Sequence, residues 1–169
     1  LYEERLCADI VAQFKAEKMS IVVPRLATVI GSRGSRSIDG VLSSRWLFAP
    51  SGRQAHGIQF VHLADAAACL LKCAVQPGLE GVYNVAGSEP LSLETVSGIL
   101  QTKLILLPAG IFRLVLRGLE TVGLLPCGPK AYTRLWMATP VATVKADEAL
   151  GPTRLTSRQA LAFWRVDPD

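Results

Sequence analysis

Gly81-Val-Tyr-Asn-Val-Ala-Gly-Ser-Glu-Pro-Leu-Ser92 is the stretch whose reading decides the fold. Gly81 to Val85 is a short β-branched and aromatic run, and it reads as a strand. Asn84 to Gly87 supplies residues suited to a tight turn. Pro90 and Ser92, with Thr95 close behind, read as a helix start over Leu91 to Leu100. A strand, a tight turn and a helix in such close succession are the building step of a layered α/β sheet.

The same rhythm extends in both directions. Upstream, Ile58 to His62 reads as a strand that runs directly into an Ala-rich helix, Leu63 to Val75, which stops before Pro77-Gly78. Asp65 stands at the positively polarised start of that helix. Tyr2 to Ala16 reads as a helix because Leu6, Ile10 and Phe14 recur every four residues. Glu3 and Glu4 suit its first turn, and Lys15 and Lys18 suit its end. Met19 to Val23 reads as a buried strand. Gly31 to Gly40 reads as a polar loop, Val41 to Phe48 as a short helix or turn, and Pro50 to Gly57 as a second loop. Downstream, Lys103 to Leu107 reads as a strand. Ile111 to Leu124, Ala131 to Met137, Thr143 to Leu150 and Ser157 to Trp164 read as helices. No repeat or linker divides the chain, so residues 1–169 are expected to form a single unit.

Composition narrows the function classes. The 169 residues are half hydrophobic and 19% charged, enough for one core and too apolar for disorder. The formal charge of +4 is spread along the chain and implies no nucleic-acid partner. Cys7, Cys69, Cys73 and Cys127 form no Cys-x-x-Cys. They read as small buried residues of a reducing cytoplasm. With only His56 and His62 to join them, and no finger spacing, no metal site is expected. The N-terminal residues are acidic where a secretory signal is basic. The most hydrophobic stretch, Leu104 to Leu125, is broken by Pro108 and carries Arg113, Arg117 and Glu120 on one stripe. It reads as a helix buried on most sides, since a spanning helix needs about 20 uninterrupted apolar residues. No membrane partner is expected, and the location expected is cytoplasmic.

Four stretches carry a resemblance: Ile21-Val-Val-Pro-Arg-Leu-Ala-Thr-Val-Ile-Gly31, Phe60-Val-His-Leu-Ala-Asp-Ala-Ala-Ala68, Gly81 to Ser92, and Lys145-Ala-Asp-Glu-Ala-Leu-Gly151. In this order they resemble the C-terminal half of extended short-chain dehydrogenase/reductases of the NAD-dependent epimerase/dehydratase family. The corresponding family patterns are a strand ending Arg-Pro-x-Asn-x-x-Gly, then Phe-Val-His-Val-Asp-Asp-Val-Ala, Val-Tyr-Asn-Val-Gly-Gly-Gly-x-Pro-x-Ser and Lys-Ala-x-x-x-Leu-Gly-Trp. The resemblance implies an α/β fold: the C-terminal part of a Rossmann-type sheet plus a small mixed α/β substrate-binding domain. It implies NAD or NADP as cofactor, a nucleotide sugar or another hydroxylated small molecule as substrate, and admits a homodimer. The Gly-x-x-Gly-x-x-Gly fingerprint does not occur. Gly31-Ser-Arg-Gly34 follows a strand but has no third glycine. The dinucleotide-binding half is therefore expected to lie upstream. The stretches around Arg25, Asp65 and Asn84 are expected to converge beside a crevice whose other wall that half supplies.

The resemblance also nominates site residues. Family members use a Tyr as general acid/base and a Lys four residues on, both on one helix face. Matching the family's Lys-x-x-x-Glu to Arg5-Leu-Cys-Ala-Asp9 puts Arg5 at the Lys position and Leu1 at the Tyr position. Tyr2 then stands one residue off, roughly 100° around the helix. Leu transfers no proton, while Arg keeps the charge in a broader planar head. Arg5 and Tyr2 are the catalytic candidates. A non-catalytic NAD(P)-binding sensor or scaffold that has lost the pair is the alternative. Arg5, Arg25, Leu26, Ala27 and Thr28 are the cofactor-side candidates, with Arg25 either paired to a carboxylate inside the fold or facing ligand. Thr28, in place of the usual Asn, also joins Arg33, Trp46 and His56 on the substrate side. Ile58 occupies the place of an Arg that neutralises the substrate diphosphate, and Arg33, Arg36, Arg45 and Arg53 are the loop cations available instead. His62 reads as a hydrogen-bonded structural residue, and Phe48, Trp136 and Trp164 as packing.

Overall fold

The computed structural model describes residues 10–14, 20–31, 36–51, 57–123, 129, 132–133 and 139–166. The elements run β1 (Val22–Leu26), β2 (Thr28–Ile30), α1 (Arg36–Leu42), β3 (Trp46–Pro50), β4 (Phe60–His62), α2 (Leu63–Val75), β5 (Gly81–Val85), α3 (Leu93–Leu100), β6 (Lys103–Leu107), α4 (Ala109–Thr121), α5 (Val144–Leu150) and α6 (Ser157–Val166). The strands form three parallel pairs, β1–β5, β2–β4 and β3–β6. Parallel pairing needs long crossovers, and the helices supply them. The α/β fold expected from the sequence is present. The helices expected over residues 2–16 and 131–137 lie largely outside the described residues.

Helix ends follow their capping chemistry. Ser92 caps α3 by accepting from the Thr95 N–H at 3.2 Å. Thr156 and Gln159 form a reciprocal capping box before α6: the Thr156 N–H donates to Gln159 Oε1 at 3.0 Å, and the Gln159 N–H to Thr156 Oγ1 at 3.2 Å. The extents of α2, β5 and β6 match the sequence reading.

Two stretches differ from it. The first strand lies at Val22–Leu26, three residues beyond the Met19 to Val23 expected, and contains Pro24. The Gly81 N–H donates to Ile21 O at 2.8 Å, and the Ala27 N–H to Val85 O at 2.9 Å. Odd-numbered residues of β1 therefore face β5, and Pro24 stands on the opposite edge, where its missing N–H removes no bond from this pair. The second difference is β3, a strand where a helix or turn and then a loop were expected. Leu47 and Ala49 are buried and Trp46 points outward. The alternation is present but short, and its partner β6 is remote in sequence. The helix α1 spans Arg36–Leu42, so Arg36–Gly40, expected in a loop, is helical.

Two cores lie on either side of β4. Phe60 and Val61 are both fully buried, but in different clusters, as the alternation of a central strand requires. Phe60 joins Leu47, Ile58, Leu161 and Trp164. Val61 joins Cys69, Tyr83, Val85 and Leu150. Ile58 extends the lead-in to β4 through an antiparallel bridge to Leu91, with both N–H···O distances 2.8 Å.

A compact junction ties β4, the end of β5 and α6 together. The Gly87 N–H donates to Phe60 O at 2.8 Å. The buried Ser157 Oγ accepts from the Phe60 N–H at 3.2 Å and donates to Gly87 O at 3.0 Å. The Ser157 N–H donates to Ser88 O at 3.0 Å. The Ser157 hydroxyl partners the buried Phe60 N–H and shares Gly87 O with Gln59 Nε2, which donates to it at 3.4 Å.

Candidate functional site

The site is defined by a change of strand partner. β1 runs alongside β5 as far as Leu26. Ala27 still donates to Val85 O, and from Thr28 the chain is paired with β4 instead. One residue separates the two pairings. In open α/β sheets, ligands bind outside the carboxyl ends of parallel strands at such partings.

Leu26, Ala27 and Thr28, three of the residues nominated from sequence, occupy this switch and are half-buried. Thr28 Oγ1 makes no hydrogen bond among the described residues. Arg25 is opposite Asn84 in the β1–β5 register, and its side chain is exposed with no ion pair among the described residues. Asp65, buried in the first turn of α2, accepts from the Leu155 N–H at 3.0 Å and so anchors the loop before α6. α2 packs on both β1 and β4. The stretches around Arg25, Asp65 and Asn84 thus meet as expected.

Side chains also fix the segment entering α5 along β5. Gln59 Oε1 accepts from the Val141 N–H at 2.8 Å, and Asn84 Nδ2 donates to Ala142 O at 3.3 Å. Lys145 Nζ donates to Val82 O at 3.1 Å and sits 4.4 Å from the Tyr83 ring centroid. These contacts cover the side of β5 with a charged residue and a loop. Sequence reading did not single out Gln59. The only signal was its place just before Phe-Val-His.

His62 has a structural role: its Nδ1 accepts from the Ala64 N–H at 3.2 Å, capping α2, and its ring meets Phe163 edge-on at 5.2 Å. Ile58, which the resemblance sets in the place of a diphosphate-binding Arg, is wholly buried in the core. Trp46 opens β3, in a different strand pair from Leu26–Thr28. It is 45% exposed, with Lys103 Nζ 5.2 Å from its ring centroid. Tyr2, Arg5, Arg33, Arg53 and His56 lie outside the described residues, as do Cys7, Cys127 and Trp136. No group of His, Cys, Asp or Glu among the described residues is arranged to hold a metal.

Cys69 is buried against α5, and Cys73 stands one turn on along α2. Burial, and secondarily the neighbouring Cys73, push the Cys69 thiol up to about 11. Thiolate is the reactive form, so Cys69 is expected to resist iodoacetamide at pH 8 in the folded chain and to react once urea unfolds it. Because its folded value is raised, its contribution to stability is present below the ordinary thiol pKa and is lost as pH climbs toward 11. Denaturation midpoints measured from pH 8 to 11 should fall for this chain more than for Cys69→Ala.

No family model and no curated protein matches the sequence. Solved structures do match. UDP-glucose 4-epimerase from Thermus thermophilus, complexed with NAD, superposes with a TM-score of 0.58 at 17% identity over 95% of this chain and 50% of its own. dTDP-glucose 4,6-dehydratase from Bacillus anthracis, complexed with NAD, gives 0.58 at 12% identity over 95% and 48%. UDP-N-acetylglucosamine 4-epimerase from Bacillus cereus gives 0.53 at 14% over 89% and 47%. The fold is that of these Rossmann-type epimerases and dehydratases. The chain spans about half their length, and the likeness rests on backbone architecture rather than on identity of residues.

Proposed function

We propose that this chain forms one wall of a nicotinamide-dinucleotide crevice in an epimerase, dehydratase or reductase that acts on a nucleotide sugar or another hydroxylated small molecule. The observation that carries this reading is the change of strand partner at Ala27, flanked by half-buried Leu26 and Thr28. The NAD named with the epimerase and dehydratase of like fold supports the same ligand class.

The residues present fit such a ligand. Ala27 has a side chain small enough to let a flat ring approach the backbone, and its N–H is already committed to Val85 O, so the strand end is rigid. Leu26 supplies apolar surface. The unengaged Thr28 hydroxyl can accept or donate one hydrogen bond to a substrate hydroxyl. Arg25 brings a positive charge to the same strand end. When bound, the nicotinamide supplies hydride transfer at a carbinol carbon, and the protein supplies orientation and proton handling. On this reading Arg5 holds the dinucleotide's ribose and Tyr2 moves the substrate proton, while Arg33, Trp46 and His56 line the substrate side. The protein acts in the cytoplasm as a homodimer without nucleic acid.

Leu1, at the place of the family's Tyr, favours a second reading: a protein that binds NAD or NADP without turnover. One titration separates the two. NADH and NADPH fluorescence is followed on addition of the protein, and NAD(P) reduction is then sought with candidate sugar nucleotides. Ala27→Phe should fill the crevice and weaken dinucleotide binding by about tenfold or more, a loss of about 1.4 kcal/mol. Thr28→Val should leave dinucleotide affinity nearly unchanged and weaken substrate by a few-fold. Binding with neither NAD(P) reduction nor conversion of any sugar nucleotide supports the sensor reading. Full affinity in Ala27→Phe would remove the crevice from this strand end.

A further inference from the structure

The stretch around α4 reads from sequence as buried on most sides, and the structure departs from that. Of the helix, Phe112 and Leu116 are fully buried, in the core against β3. Ile111 is 51% exposed, Leu114 71% and Val122, just after the helix, 65%. At roughly 100° per residue, Leu114 stands opposite the buried side, with Ile111, Gly118 and Val122 beside it. Arg113 and Arg117 lie together along one flank of this strip. Both are exposed, with no hydrogen bond or ion pair among the described residues. Glu120 shares the flank, which keeps a net positive charge, as does the whole chain at +4.

We propose that α4 docks on a bilayer surface bearing anionic phospholipid headgroups, with Ile111, Leu114 and Val122 among the upper acyl carbons and Arg113 and Arg117 at the phosphates. A helix that lies in the interface joins an exposed apolar strip to basic residues at its border. Arginine's long stem lets its head reach a phosphate while its apolar neighbours sink deeper. The helix lies flat, since its 13 residues extend only roughly 20 Å. No helix among the described residues is long and apolar enough to cross a membrane. The shape of the strip fits a fluid partner. A Cβ added at Gly110 or Gly118 would meet nothing within 4 Å. The strip is therefore a ridge, with no groove at these glycines for a partner's side chain to fill, and a ridge gains most from a layer that moulds around it.

Other occupants fit less well. A second copy would bring a flank of the same sign. The wall expected upstream belongs beside β1 and β2, where the crevice opens, whereas α4 packs on β3, in a pair that shares no strand with either. The exposed Leu70, Leu71 and Val75 of α2 have one cation on their helix, Lys72, and it donates to Leu150 O. Free positive charge beside exposed apolar side chains thus singles out α4 from α2.

The test is flotation of the full chain with vesicles of phosphatidylcholine alone or of phosphatidylcholine mixed with phosphatidylglycerol, so that aggregates stay at the bottom of the gradient. Circular dichroism confirms folding of each variant, and Leu114 and Leu71 are 71% and 64% exposed, so glutamate at either should be tolerated. The chain should float with the anionic vesicles, and added salt should weaken its binding. Arg113→Gln with Arg117→Gln should weaken binding roughly 20-fold, about fivefold for each arginine. Leu114→Glu should weaken it by about tenfold or more, while Leu71→Glu on α2 should leave it unchanged. Failure to float with anionic vesicles overturns the proposal, as does equal flotation with phosphatidylcholine alone. Binding that ignores salt, the arginine pair or Leu114→Glu does the same, and so does an equal loss in Leu71→Glu. A dimer or other protein complex that Leu114→Glu dissociates, with no flotation, assigns the strip to a protein partner and overturns the proposal too.

Discussion

Replacing Gly87 by valine is expected to destabilise the fold by about 3 kcal/mol or more, read as a fall in the urea midpoint. A Cβ at this position would lie 2.5 Å from Phe60 O and 2.6 Å from Ser157 N. Both are backbone atoms, in a strand and at a helix start, so neither can swing aside as a side-chain tip would. Relief requires β4 and α6 to separate, which breaks the Ser157 bonds to Phe60 and Gly87. Gly87→Ala should already show most of the loss. Near-native stability in the alanine variant would mean that the junction is looser than the geometry described here. If the proposed function holds, the substitution should also weaken dinucleotide binding, because Gly87 follows the end of β5.

The second large effect is expected at Trp164. Its side chain is almost wholly buried on α6, and its indole N–H donates to Asp39 Oδ1 at 3.0 Å. Trp164→Ala leaves a large void among Phe60, Leu161 and their neighbours and should cost about 3–5 kcal/mol. Trp164→Phe keeps most of the apolar volume but removes the donor to Asp39, and should cost about 1 kcal/mol through the lost hydrogen bond. Chemical denaturation of the two variants separates packing from hydrogen bonding. Equal losses would mean that the indole N–H contributes most of what Trp164 provides.

Trp164 could be read from sequence as a packing residue, because it closes an amphipathic helix. Its partner Asp39 could not, since it lies in a stretch that looked like a polar loop. The same division runs through the fold. α2 and β5 were legible because local signals bound them: an Ala-rich run ending at Pro77-Gly78, and a β-branched run ending in a turn. β3 was not, because five residues carry too little alternation and the strand exists by pairing with remote β6. β1 was misplaced because Pro24 looks like a stop, and only the hydrogen-bond direction shows that it faces the unpaired edge. At the site, Leu26 to Thr28 were found through family resemblance. Their physical meaning, a change of strand partner, needed the register of both pairs. Asp65 was legible as a charge at a helix start, but its acceptor role toward Leu155 depends on a contact far along the chain. Ser157 gave no hint beyond a helix-start residue, although its hydroxyl completes the corner at Gly87.

The parallel pairing of β1 with β5 and of β3 with β6 has a kinetic consequence during synthesis. Among the described residues, Val22 pairs with Gly81 and Trp46 with Lys103, each more than fifty residues further along the chain. As the chain leaves the ribosome, its early strands emerge as unsatisfied edges whose closure must await much later residues, the situation in which folding is slow and association with other nascent chains competes. Pro24, by denying one donor to any intruding strand, protects β1 through that interval.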